Sequence, residues 1–248
     1  MNKAKILFFD LETIVLPFTS GERIRSEDTA VVCFGYAWGE EGKSQCIHAG
    51  QFPKDYAKDP FNDKKILEKA AKLILEADIV VAHYGSGFDK PLLRTRFILA
   101  GLDEAAQHLQ RIKCYDTCIV ARKLLRLRSS SLRHVAKMFK LGEKDPMSAQ
   151  DWNGVMRSSK ASILKMAKYC AKDVDLLRKV YLKLRGFDNN HPTIIMNKKS
   201  KELTCPTCAS TWIVKKVTAW LEGKGAFESL RCRRCGCGFK GNRLSNDK

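Results

Sequence analysis

The residues of this sequence best equipped for chemistry are four scattered acids and a group of crowded cysteines. Asp10 and Glu12 stand two residues apart at the end of the apolar run from Ala4 to Phe9. On extended backbone both carboxylates leave the same face of a sheet, and at that separation they repel unless a cation lies between them. Taken alone, the pair would serve equally well in a turn or a helix cap. Asp89 follows a second short apolar segment through His83-Tyr84-Gly85-Ser86-Gly87-Phe88. The glycines on either side of Ser86 let backbone approach a ligand, whereas an Asp at that place by itself reads as an N-cap. Asp173 lies in a long helical pattern four residues after Tyr169 and so shares a face with it. An Asp among apolar neighbours is costly to bury without a partner, and its plain alternative is a solvated helical charge.

The cysteines make a sharper pattern. Cys205-Pro206-Thr207-Cys208 and Cys232-Arg233-Arg234-Cys235 are two C-x2-C pairs separated by 23 residues. Each pair can place two thiolates on one cation, and together they complete a tetrahedral site for one structural Zn2+. Cys237 competes with Cys235 for the fourth place, and Cys235 is preferred because it completes its pair. The remaining cysteines, Cys33, Cys46, Cys114, Cys118 and Cys170, are scattered in mostly apolar settings that suit buried thiols. Two further residues read as structural: Asp116 as a helix cap after a strand, and His83 as a satisfied histidine.

Alternating elements must position these groups. Ala4 to Phe9, Thr29 to Trp38 and Ser44 to His48 read as strands of a meander, the last two joined by the turn Gly39-Glu40-Glu41-Gly42. A helix capped by Asn62 carries Ile66, Leu67, Ala70, Ala71, Ile74 and Leu75 at helical spacing. Then come a strand from Ile79 to His83, a helix from Phe88 to Ala100 stopped by Gly101, and a strand from Ile112 to Asp116. Helices are expected over 117–126, 131–140 and 159–185, with 141–153 as a long surface connection. The expected fold is α/β, a mixed sheet flanked by helices over residues 1–185, then a linker over 186–197 and a small C-terminal zinc ribbon over 198–248.

The ribbon is read as two strands, Trp212 to Val217 and Phe227 to Arg231, with too little apolar material to fold without its metal. Lys215, Lys216, Arg233, Arg234 and Trp212 are candidate nucleic-acid contacts, and Lys224, Arg231, Lys240, Arg243, Trp220 and Phe227 extend the same basic and aromatic composition. The whole chain of 248 residues carries 45 Lys and Arg against 27 Asp and Glu, a net charge of +18 that calls for a polyanionic partner. No apolar run approaches the roughly 18–20 residues of a membrane span, and the N-terminus lacks a signal-peptide pattern, so a soluble, cytoplasmic protein is expected.

In order and spacing the acids resemble a known family over roughly residues 4–185. Phe8-Phe9-Asp10-Leu11-Glu12-Thr13 resembles the first motif of the DEDD 3′ to 5′ exonucleases, which have a ribonuclease-H-like fold. Phe88-Asp89 resembles the second motif, and Tyr169-Cys170-Ala171-Lys172-Asp173 the third in its Tyr-x-x-x-Asp form. Lys168 stands where the other branch carries His, which indicates the tyrosine subtype. The resemblance implies two Mg2+ or Mn2+ ions, with Asp10 bridging them, Glu12, Asp89 and Asp173 completing the shells, and Tyr169 orienting the attacking water. It implies release of nucleoside monophosphates, with single-stranded DNA the expected substrate and the host cytoplasm the compartment if the chain is phage-encoded. RNA 3′ ends, or a non-catalytic nucleic-acid-binding role on the same fold, are the alternatives. Tyr84 departs from the family, whose members usually carry Asn there, and this puts substrate preference more than catalysis in question. A four-cysteine ribbon after Asn190-His191-Pro192 is similar to ribonuclease-H-like proteins of phages and bacteria.

Overall fold

The computed structural model describes residues 3–15, 26–143, 146–196, 203–222 and 225–244. Its first lobe is built on a five-stranded sheet of β1 (Ile6–Val15), β2 (Thr29–Trp38), β3 (Gln45–His48), β4 (Ile79–Ala82) and β5 (Lys113–Asp116), in the order β3-β2-β1-β4-β5. The meander β1-β2-β3 is antiparallel, whereas β4 and β5 add in parallel, so the sheet is mixed as expected. The central strand β1 is covered on both sides. Leu7 and Phe9 enter one apolar cluster, Ile6 and Phe8 the other, as the period of two of a strand requires.

Eight helices flank the sheet among the described residues: α1 (Pro53–Lys58), α2 (Lys64–Glu76), α3 (Asp89–Leu99), α4 (Asp103–Arg111), α5 (Thr117–Leu124), α6 (Leu132–Met138), α7 (Ala149–Met156) and α8 (Lys160–Leu184). Helix α8 joins both clusters, with Ile163, Met166 and Cys170 in one and Val174, Leu177 and Tyr181 in the other. It approaches β2 closely at Gly35, where an added Cβ would lie 2.7 Å from the Cys170 sulfur. Gly35 is the register partner of Asp10, so the one position of β2 without a side chain seats the helix beside the first acid.

Several local expectations need correction. The cap of α2 is Asp63, not Asn62, and the Asp63 carboxylate is turned inward, accepting from the Val31 amide at 2.9 Å and pairing with Arg96 at 2.7 Å. The surface connection expected over 141–153 ends in a helix, because Ser148 and Asp151 form a reciprocal capping box that starts α7. Helices α1 and α4 were not expected. Both are short, and α4 begins two residues after Gly101, whose positive φ of 72° ends α3 where the stop was expected.

Part of the expected linker packs against its neighbours. Ile194 and Ile195 are buried, the Ala4 amide donates to the Ile194 carbonyl, and the Ile194 amide donates to the Pro206 carbonyl. The last residue of the expected linker, 197, the start of the expected ribbon, 198–202, and its Lys224 lie outside the described residues. The second lobe is a four-stranded antiparallel sheet of β6 (Ile213–Lys215), β7 (Trp220–Glu222), β8 (Gly225–Cys232) and β9 (Gly238–Arg243), with β8 bonded to the other three.

An ion pair ties the lobes together. The guanidinium of Arg185, 4% exposed, donates to Glu40 at 2.6 Å, and Arg234 of the second lobe reaches the same carboxylate at 3.3 Å. Glu40→Gln would leave the Arg185 charge buried without its counter-ion. It is expected to cost about 2–3 kcal/mol, below the value for a wholly buried pair because Glu40 keeps partial solvent contact. Arg234→Gln, at an exposed position, should cost well under about 1 kcal/mol. Denaturant melts of the two variants check the contrast.

Candidate active site and cysteine centre

The acids converge at the C-terminal end of the parallel part of the sheet. Strand β1 continues through Asp10 and Glu12 and is irregular only between Glu12 and Thr13, so the i, i+2 rule applies to the pair. Asp173, 1% exposed on α8, completes a group: one carboxylate oxygen from each of Asp10, Glu12 and Asp173 lies within 4.8 Å of the others. Three carboxylates at that spacing repel strongly in a partly buried setting, and hard oxygen donors suit Mg2+ or Mn2+. The Cys170 sulfur packs against Asp10, 3.5 Å from its carbonyl oxygen. Tyr169 is half-buried one helical turn before Asp173.

Asp89 stands beside this group without belonging to it. It is the first residue of α3, buried, and its carboxyl accepts from the Leu11 amide and from its own. Burial is the main cause that pushes its pKa up to about 7, with the Asp116 charge adding to it and the two amides opposing. The fourth acid therefore touches the backbone of β1 between Asp10 and Glu12. A cation at this site would draw on it only in ionised form.

Asp116 caps α5 as expected and does more. Its two oxygens also accept the amides of Tyr84 and Ser86, pinning the loop that leads to Asp89. His83 is structural as read, with Nδ1 bonded to the Thr117 hydroxyl and Nε2 to the Ser130 carbonyl. Sequence reasoning missed the loop-organising role of Asp116, and spacing gives no signal for a contact spanning 30 residues.

With that geometry in place, one comparison decides the family: a model of the RNase_H superfamily matches residues 7–185. The chain belongs to the RNase_H superfamily. Among solved structures, this RNase_H superfamily chain is similar to the family B DNA polymerase from the hyperthermophilic archaeon Pyrobaculum calidifontis, with 16% identity and a TM-score of 0.56. The likeness covers 74% of this chain and 25% of the polymerase chain, and it shows a shared fold. No curated protein matches. Among the described residues no helix is long and apolar enough to cross a membrane.

The cysteine centre of this RNase_H superfamily protein lies in the second lobe. The sulfurs of Cys205, Cys208, Cys232 and Cys235 lie within 4.8 Å of one another, with Cys205 to Cys235 and Cys208 to Cys232 both at 3.6 Å. A tetrahedron of thiolates around Zn2+ at about 2.3 Å has edges of about 3.8 Å, so the four sulfurs fit that ion. The two knuckles fold alike. The Ala209 amide donates to Cys205 and Gly236 to Cys232, while the Cys205 and Cys232 amides donate to Ser210 and Cys237. Cys237 lies outside the four-sulfur group, and its sulfur accepts from the Thr207 hydroxyl.

The candidate nucleic-acid contacts divide. Lys215 pairs with Glu228, and Arg234 with Glu40. Lys216, Arg233 and Trp212 are exposed, and the Arg233 amide donates to the Trp212 carbonyl, which places those two side by side.

Proposed function

We propose that this protein is a metal-dependent 3′ to 5′ exonuclease of the DEDD type, tyrosine subtype, releasing nucleoside monophosphates from nucleic acid 3′ ends, with single-stranded DNA the preferred substrate. The observation that carries the reading is the convergence of Asp10, Glu12 and Asp173 within 4.8 Å, with Asp89 buried against the same strand. Two divalent cations supply an activated water and stabilisation of the leaving 3′ oxygen. Asp10, Glu12 and Asp173 would hold them, Asp89 would join on ionising, and Tyr169 would orient the water from the adjacent turn of α8. A structural zinc on Cys205, Cys208, Cys232 and Cys235 folds the ribbon, whose Trp212, Lys216 and Arg233 supply a second contact to the strand. In this reading the catalytic domain spans 1–185, the connection 186–197 and the ribbon 198–248.

The test uses 5′-labelled single-stranded DNA, duplex DNA and RNA with Mg2+ or Mn2+, then with chelator. A ladder shortening from the 3′ end, abolished by chelator, is expected on single-stranded DNA. Stronger degradation of RNA would make the protein an exoribonuclease. No degradation of any substrate would leave a binding module and end the enzymatic reading.

The buried Asp89 gives the site a pH signature. In the metal-free protein its carboxyl keeps a proton up to about 7, so ionising it costs folding stability as pH rises from the ordinary carboxylate range towards 7. A cation that draws on Asp89 must displace that proton. Apparent Mn2+ affinity is therefore expected to rise by up to about tenfold per pH unit below 7 and to level off above it. Titrations between pH 5.5 and 8 check this, and a flat profile would keep Asp89 out of the coordination.

A further inference from the structure

Beside the acid cluster lies a cleft of ≈ 420 Å³ lined by Asp10, Tyr84, Arg122 and the run Ser129–Ser131. Its volume falls within the about 300–1,000 Å³ of ligand sites. Tyr84 holds a left-handed backbone, φ 64°, which is rare for a bulky residue. Strain of that kind persists where the surroundings enforce it. Here the Tyr84 amide is bonded to Asp116, and its ring rests on Gly87, where an added Cβ would lie 2.6 Å from the ring. The ring in turn carries the guanidinium of Arg122, 5.3 Å from its centroid. Arg122 Nε donates to the Ser130 hydroxyl at 2.8 Å, and Ser130 is itself fastened by His83. Stacking and the Nε bond fix the plane of an exposed guanidinium and leave its terminal amino groups for a ligand.

The surroundings are charged to match. Between Thr117 and Gly142 there is no acid and there are seven lysines and arginines, among them Arg126, Arg128 and Arg133, all exposed. A fixed guanidinium fork beside a cation-holding acid cluster, backed by a basic arm, suits the phosphodiester oxygens of a strand.

We propose that Arg122 is a backbone-phosphate clamp for the substrate strand, with Tyr84 its positioning residue, and that the exposed Arg126, Arg128 and Arg133 of the same stretch add further phosphate contacts. The clamp rests on the nuclease reading for its place beside the scissile bond. Phosphate contacts carry no base information, so the grip is independent of sequence.

Binding of labelled single-stranded DNA and RNA oligonucleotides is measured by anisotropy in chelator, over a range of salt, and cleavage is measured separately with Mn2+. Arg122→Gln is expected to weaken binding on every sequence, to flatten the slope of log affinity against log salt by about 0.7, and to raise KM more than it lowers kcat. Removing Arg126, Arg128 and Arg133 together should flatten it by about 2. Tyr84→Asn, which tolerates the left-handed backbone, should lose part of what Arg122→Gln loses and add little to it in the double variant, and Tyr84→Phe should restore binding. Unchanged affinity and salt slope in Arg122→Gln would overturn the clamp even if the wild type degrades DNA. A wild type that binds through Arg122 but cleaves nothing would support the clamp and overturn the nuclease reading.

Discussion

Asp10→Asn is expected to abolish hydrolysis, lowering the rate by about a thousandfold or more, while leaving the metal-free protein as stable as the wild type or more so. The two halves of this result have one cause. Asp10, Glu12 and Asp173 crowd negative charge into one place, and removing a charge relieves that repulsion, as at many functional sites where stability is given up for activity. The same charge is what would hold a cation, and losing a ligand that stabilises the transition state by several kcal/mol accounts for the rate, at about 1.4 kcal/mol per factor of ten. Thermal melts with and without Mn2+ separate this from misfolding. The wild type should gain stability as the ion is added, by the mass-action relation for a ligand of the native state, and Asp10→Asn should gain much less. A variant that retains activity, or one that melts far below the wild type in chelator, would show that Asp10 serves the fold and not the chemistry.

Loss of the four-sulfur centre should have an effect of comparable size on a different part of the molecule. Purified protein is expected to hold close to one equivalent of zinc, and the double variant Cys205→Ser, Cys208→Ser to hold none. Structural zinc in small domains contributes about 10–16 kcal/mol of apparent binding free energy, which is folding free energy where no other core exists. The buried residues of this centre are mainly the cysteines themselves, with Ile213 and Phe239 packed against them. The strands β6 to β9 should therefore lose amide protection and become protease-sensitive. The five-stranded sheet, with its own two apolar clusters, should keep its protection. Equal protection of β8 in both proteins would mean that the lobe folds without metal.

The parts of the site legible in the sequence are those set by local periodicity. The alternation of a strand puts Asp10 and Glu12 on one side, the helical repeat puts Tyr169 above Asp173, and the C-x2-C spacing brings the sulfurs together in pairs. The strands β2, β4 and β5 were legible for the same reason, from short apolar runs bounded by turns. What was not legible depends on chain segments far apart. Gly35 admits Cys170, Asp116 pins Tyr84 and Ser86, and Glu40 joins Arg185 to Arg234. Each is a fit between surfaces that only the folded chain creates. The short helices α1 and α4 escaped for another reason. A helix of six or nine residues owes its existence to the packing of Tyr56, or of Ala105, Ala106 and Leu109, more than to its own propensity.

The order in which the chain is made gives the helix α8 a further meaning. Asp10, Glu12 and Asp89 all precede it, and the residue that closes the acid cluster is supplied by the last helix of the first lobe. During synthesis from the N-terminus, every nascent chain that has not yet released Asp173 lacks the complete cluster, however well its sheet has formed. The contact of α8 with Gly35 and Asp10 is also among the most distant in sequence, and such contacts form late because their loop-closure entropy is met first. The acid cluster proposed to hold the cations is thereby incomplete until the lobe that confines it is finished.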